Sequence, residues 1–147
     1  KTVVRQNIDY YEHINIIKNH LFLTKVENTG AFLSTGENLP EFIKVILLTV
    51  LPLLVLGYGL YYLFKETNLP RVSQLGVSFL IGGGIGNIFD RIKFGSVTDF
   101  LHIDFIIFRT GVFNFADVSI MFGIGILLLN SLLMFGLAKK HKIIAKD

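Results

Sequence analysis

Apolar and polar positions divide the chain into a mixed first quarter and three long apolar runs. Residues 1–40 scatter Lys1, Arg5, Asp9, Glu12, His13, Lys18, His20, Lys25, Glu27 and Glu37 through short apolar pieces, and no membrane-spanning helix fits there. Within them, residues 20–26 are β-rich and Glu27-Asn28-Thr29-Gly30 carries turn chemistry. The pattern predicts a strand, a turn and a second short strand from Ala31 to Ser34. Residues 45–64 are 20 residues without a charge, which as a helix reach about 30 Å, the thickness of a bilayer's hydrocarbon. Pro52 predicts a kink in that span, and Tyr58, Tyr61 and Tyr62 beside Lys65 predict an interfacial aromatic belt.

A tight polar loop, 65–71, leads to a second span over 72–89, which carries Ser73, Gln74, Ser78 and Asn87. Ser78, Gly82 and Gly86 recur at every fourth residue, so this helix is expected to let a neighbour's backbone approach along that row. A non-spanning connection over 90–115 follows, in which 101–108 is expected to lie along the interface with His102, Asp104 and Arg109 facing water. The third span, 116–138, ends in the basic tail Lys139-Lys140-His141-Lys142. The fold class expected is therefore an integral membrane protein, mainly α, with three transmembrane helices and a small β-rich segment outside the bilayer, all in one domain over 1–147.

Composition agrees with a bilayer as solvent: 52% of the residues are hydrophobic and 17% charged, with a mean hydropathy of +0.59. With no cysteine, a disulfide framework, a thiolate metal site and a cysteine nucleophile are all excluded. The net charge of +3 sits in clusters flanking the spans rather than along one helix face, so the basic residues read as topology signals and not as a nucleic-acid surface. The basic tail and the loop holding Lys65 and Arg71 predict a cytoplasmic C-terminus, which leaves 1–40 and 90–115 on the outer side. That arrangement calls for a further helix upstream.

Candidate chemistry gathers between Gly82 and Asp117. Asp117, three residues after Asn114, suits the first turn of a helix, and Asp99 suits a turn. Each reading is sufficient for its residue alone. Both acids, however, belong to segments that flank the membrane on one side, where ionisable groups are costly and functional. Two carboxylates held close share a proton, so an acid and a base coexist at neutral pH and can activate water against a peptide carbonyl. Asn87, Asp90 and Arg91 crowd one side of a helix end, either as an interfacial arginine with its partner or as support for the two acids. The histidines lack the close spacing of a metal site, and Gly82-Gly83-Gly84 lies inside a span, where packing accounts for it better than phosphate binding.

Three blocks resemble the lipoprotein signal peptidases, or signal peptidase II family, of bacterial membrane aspartyl proteases. They are Asn28-Thr29-Gly30-Ala31, then Gly86-Asn87-Ile88-Phe89-Asp90-Arg91 with Gly95-Ser96-Val97-Thr98-Asp99-Phe100, and Phe113-Asn114-Phe115-Ala116-Asp117. The resemblance implies removal of signal peptides from lipid-modified prolipoproteins, with Asp99 and Asp117 as the catalytic pair. It implies Asn28, Gly30, Asn87, Asp90, Arg91 and Asn114 as residues lining or supporting the site, and no cofactor or metal. It also implies a monomer in the bacterial cytoplasmic (inner) membrane, in contact with lipid and without nucleic acid, its site facing outward. Family members have four spans, the first carrying an Asp-x-x-x-Lys motif, and Lys1 stands where that lysine could fall. The rival reading from the residues is a small non-enzymatic transporter or assembly subunit whose acids bind protons or cations. Its usual mark, repeated half-structures with acids in mid-span, is absent from the sequence.

Overall fold

The computed structural model describes residues 1–10, 12–18, 20–31, 34–105 and 107–144, the last eight as backbone only. A short helix, α1 (Thr2–Asn7), opens the chain, followed by strands β1 (Ile14–Ile17) and β2 (Leu21–Asn28). The first span, α2, covers Glu41–Lys65. The second, α3, is Arg71–Phe94, strand β3 is Val97–Ile103, and α4 is Phe115–Ile144. The fold is thus three spanning helices with one antiparallel sheet in the order β1, β2, β3.

The strand expected at 20–26 is β2, but its partners are not the segment that follows it. β1 precedes it and β3 comes from beyond the second span, whereas Ala31 and Ser34 are outside any strand and residues 32 and 33 lie outside the described residues. Ser34 has φ 58°, a left-handed backbone that ends extended structure. Residues 101–103, expected along the interface, belong instead to β3, and Leu101 is buried with Val4, Ile8 and Phe100. His102 and Asp104 are half-buried; Phe105, Ile107 and Phe108 remain exposed, as does Arg109, paired with Asp104 at 2.8 Å. The small core under the sheet is therefore made by α1, the Ile8 that follows it and β3 together, a contact between residues more than 90 positions apart.

All three spans are longer than the sequence pattern gives them, because charged ends that hydropathy discounts continue the helix. α2 contains a π-helical stretch, Ile46–Val50, immediately ahead of Pro52. A proline ring collides with the carbonyl four residues earlier, here that of Leu48, and the wider turn relieves the collision. At the far end Tyr58, Tyr61 and Tyr62 cluster on the exposed face, and the Lys65 ammonium lies 5.3 Å from the Tyr61 ring.

α3 lies between α2 and α4, with 33% of its most apolar stretch buried against none for α2. Of the row expected to be its contact ridge only Gly86 meets α4, where a Cβ would stand 3.4 Å from Ala116; Ser78 and Gly82 are exposed, and a Cβ at Gly82 meets nothing within 4 Å. The close approach is made by Gly76 and Gly83 against Gly123, Ala116 and Ile120 of α4, where a Cβ on Gly76 would stand 2.8 Å from Leu127 and one on Gly123 2.6 Å from the Gly76 carbonyl. A seven-residue step drifts only about 20° around a helix, whereas each four-residue step drifts about 40°, so Gly76 and Gly83 stay on one line. Two turns of α3 thus touch α4 almost backbone to backbone.

Candidate functional site

The last turn of α3 and the first turn of α4 meet under the sheet. Gly95 ends α3 in the left-handed conformation (φ 75°), donating its N–H to the Arg91 carbonyl at 3.0 Å, and β3 begins two residues later. Asp99 therefore lies a short way along β3 from the end of the helix bearing Asn87 and Arg91. A bulge in β2 at Thr24-Lys25, opposite Phe100, resets the alternation so that Asn28 and Asp99 share a face. They are diagonal neighbours across the two strands, and the Asn28 amide donates to Asp99 Oδ2 at 2.9 Å.

The Asn28 side chain is itself fixed. Its Oδ1 accepts the Gly30 N–H at 2.9 Å and its Nδ2 also donates to the Ala31 carbonyl at 3.0 Å. Gly30 sits in a turn where a Cβ would lie 2.7 Å from the backbone of Ser34 and Thr35, so no other residue fits. Its carbonyl accepts the Arg91 guanidinium at 2.7 Å.

At α4 the capping box forms. The Asn114 Oδ1 accepts the N–H groups of Ala116 and Asp117 at 2.7 and 3.3 Å, and Asp117 Oδ2 accepts the Asn114 N–H at 2.9 Å. Asn114 is completely buried, and its Nδ2 donates to Asp99 Oδ1 at 2.6 Å. The other oxygen of Asp117 accepts the Asn87 amide at 2.7 Å. Capping and clustering are thus the same contacts: the bonds that start the helix also aim Asp117 at Asn87 and tie Asn114 to Asp99.

Asn28, Asn87, Arg91, Asp99 and Asp117 line one cavity of about 410 Å³, closed on its other side by Leu48 and Pro52 of α2 and by Ile120, Met121 and Ile124 of α4. A larger groove of about 810 Å³, apolar apart from Arg109, Thr110 and Asp117, runs along α4 from Phe108 to Leu129 and reaches Asp117 from the other side. Asp117 stands at the wall between the two. Burial pushes the Asp99 carboxyl above the ordinary aspartate range. The amides of Asn114 and Asn28 pull it back, and the neighbouring charge of Asp117 pushes it further up.

Of the eight residues singled out in the sequence, the fold brings five to this cavity and holds Gly30 and Asn114 against it. Asp90 is the exception. It faces away, buried in an ion cluster with Lys1 at 2.9 Å and Arg5 at 3.0 Å. Glu27 adjoins that cluster, 3.9 Å from Arg5, and accepts the hydroxyls of Ser96 and Thr98 at 2.6 and 2.7 Å. Arg5, Glu27, Ser96 and Thr98 escape a sequence reading. The strand period places Glu27 and Thr98 together only once β2 and β3 are known to pair. Among the described residues no group of three or more His, Asp or Glu side chains gathers to hold a metal ion.

Two solved bacterial membrane enzymes share this fold. One superposes with a TM-score of 0.78 at 21% identity over 89% of this chain and 81% of its own; the other gives 0.77 at 24% over 89% and 77%. A lipoprotein signal peptidase from Wigglesworthia glossinidia brevipalpis is 34% identical over 132 residues, 88% of this chain and 82% of that protein. One from Streptococcus pyogenes serotype M1 is 37% identical over 107 residues, which span 73% of this chain and 66% of the streptococcal protein. A family model described as signal peptidase (SPase) II matches residues 1–133, and the chain belongs to that family.

Proposed function

We propose that this protein is a membrane aspartyl endopeptidase that removes signal peptides from lipid-modified bacterial prolipoproteins, with Asp99 and Asp117 activating the water. Membership of the signal peptidase II family supplies the protease class and the membrane setting; the named relatives are lipoprotein signal peptidases. The observation that carries the dyad is that both carboxylates line one cavity, joined through the amides of Asn114 and Asn87.

Each carboxylate accepts two hydrogen bonds, one on each oxygen, which leaves one lone-pair position per oxygen for a proton or a water. Burial favours the neutral form of Asp99, so Asp99 holds the shared proton at rest and Asp117 is the base. Asp117 takes a proton from water, the hydroxide adds to the scissile carbonyl, and Asp99 gives its proton to the developing oxyanion. Asp117 then gives its proton to the departing amine, the new N-terminus of the lipoprotein, while a hydroxyl of the gem-diol returns a proton to Asp99, and the signal peptide leaves with the carboxyl group. Asp117 also opens onto the apolar groove along α4, which suits an apolar peptide segment or acyl chain lying in the bilayer.

The experiment is cleavage of a lipid-modified precursor by Asp99→Asn and Asp117→Asn. General acid and base groups contribute roughly 10² to 10⁴ in rate, and a dyad acts as a unit, so each variant is expected to lose at least about 10², with the double variant no worse. Asp104→Asn, whose carboxylate pairs with exposed Arg109, retains wild-type turnover. Processing by Asp99→Asn near the wild-type rate would end the dyad reading.

A further inference from the structure

The ion cluster behind α3 touches the candidate pair through one atom. The Lys1 ammonium donates to Asn87 Oδ1 at 2.6 Å while pairing with Asp90 Oδ2 at 2.9 Å. Asn87 Oδ1 also accepts the Asn114 amide at 3.3 Å, and the Asn87 nitrogen is the group that donates to Asp117 Oδ1 at 2.7 Å.

A carboxamide has nearly the same shape when its oxygen and nitrogen are exchanged, so packing alone cannot hold its orientation. A neighbour that can only donate can. Lysine has three N–H donors and no acceptor, and with its ammonium on one side of Asn87 the oxygen must face Lys1 and the nitrogen must face Asp117. Turned over, the side chain would set N–H against N–H at Lys1 and oxygen against carboxylate at Asp117. Lys1 is itself held in place by Asp90, which is 3% exposed. Arg5 shares that carboxylate, and its guanidinium lies over the Phe94 ring at 3.7 Å.

We propose that Lys1, clamped by Asp90, is a positioning residue that fixes the Asn87 amide with its nitrogen toward Asp117. This inference rests on Asp99 and Asp117 being the reacting pair. It gives the ion cluster, whose Lys1, Arg5 and Asp90 are not among the residues lining the 410 Å³ cavity, a place in the reaction rather than in stability alone.

The test is a double-mutant cycle read in kcat and KM on a lipid-modified precursor. Lys1→Met is expected to lower kcat roughly 10- to 100-fold, the worth of one hydrogen bond to a charged group, with KM within about twofold. Lys1→Arg, which keeps a donor-only cation, should recover most of the loss. In an Asn87→Ala background Lys1→Met should cost nothing more, because Lys1 acts only through that amide. Lys1→Met/Asp90→Asn removes the partner carboxylate as well. It carries the same test should Lys1→Met alone fail to fold, and is expected to be as slow as Lys1→Met while melting close to wild type. Additive losses in the cycle, or wild-type kcat in Lys1→Met or in Lys1→Met/Asp90→Asn alongside an inactive Asp99→Asn, would overturn the proposal. An active Asp99→Asn would instead remove the reading on which it rests.

Discussion

At the scale of single residues, Asp99 is defined by two amides that cannot turn round. Asn28 is fixed by Gly30 and Ala31, and Asn114 by the N–H groups of Ala116 and Asp117, so both point a donor at the carboxyl group. Asp99→Asn, close in shape, therefore brings its own NH₂ against one of those donors. It is expected to cost on the order of 1 to 3 kcal/mol at acid pH besides abolishing turnover. The sign of the pH dependence follows from the raised Asp99 value: the neutral form is favoured by the fold, so its stabilisation is full below the unfolded value of about 3.9 and is lost as pH rises through the folded value. Denaturation of wild type and Asp99→Asn from pH 4 to pH 7 should show the gap between them narrowing. A gap that widens would mean that Asp99 is not held above its ordinary range. Asp99 and Asp117 were legible as candidates because each stands in a polar step beside an apolar run. Arg5 and Glu27 were not, since Asp90, Ser96 and Thr98, which they meet, lie more than 60 residues away and nothing local marks them, and Lys1 was marked only by its place in the resemblance.

At the scale of elements, the helices were legible and their facing sides were not. Length and hydropathy suffice to find a span, but Gly76, Gly82, Gly83 and Gly86 offer several small-residue rows, and which one meets α4 is decided by the whole interface. The structure separates neighbours that sequence treats alike. Gly83→Leu would drive a side chain into the Ala116 carbonyl and Ile120, with an expected loss of about 3 kcal/mol or more, whereas Gly82→Leu points into open space and should leave the melting temperature in detergent within a degree or two. Equal destabilisation by the two would contradict the interface. β2 was legible from its composition; its pairing with β3 was not, because register across a span depends on where α3 stops, and that is set by Gly95. The bulge at Thr24-Lys25 likewise leaves no mark in the residue pattern, yet without it Asn28 would face away from Asp99.

At the scale of the molecule, α2 leaves the sheet end, α3 returns to it and α4 leaves it again, so the sheet, residues 1–40 and the candidate site share one side. By the positive-inside rule that side is expected to lie outside the cytoplasm, since Lys65, Arg71 and the basic tail belong to the other ends of the spans. A cysteine introduced at His20 should react with an impermeant reagent in intact cells, and one at Asp147 only after permeabilisation; the reverse pattern would invert the protein in the membrane. Both carboxylates and the Asn87 and Asn114 amides lie after residue 71, whereas Asn28, the Gly30 carbonyl and the Leu48 and Pro52 wall come from before it. A chain caught halfway through insertion thus has the wall and the Asn28 donor but neither carboxylate. On the proposed Asp99/Asp117 chemistry, proteolytic competence waits until biogenesis has joined the two halves, and the membrane is spared an unguarded protease in the meantime.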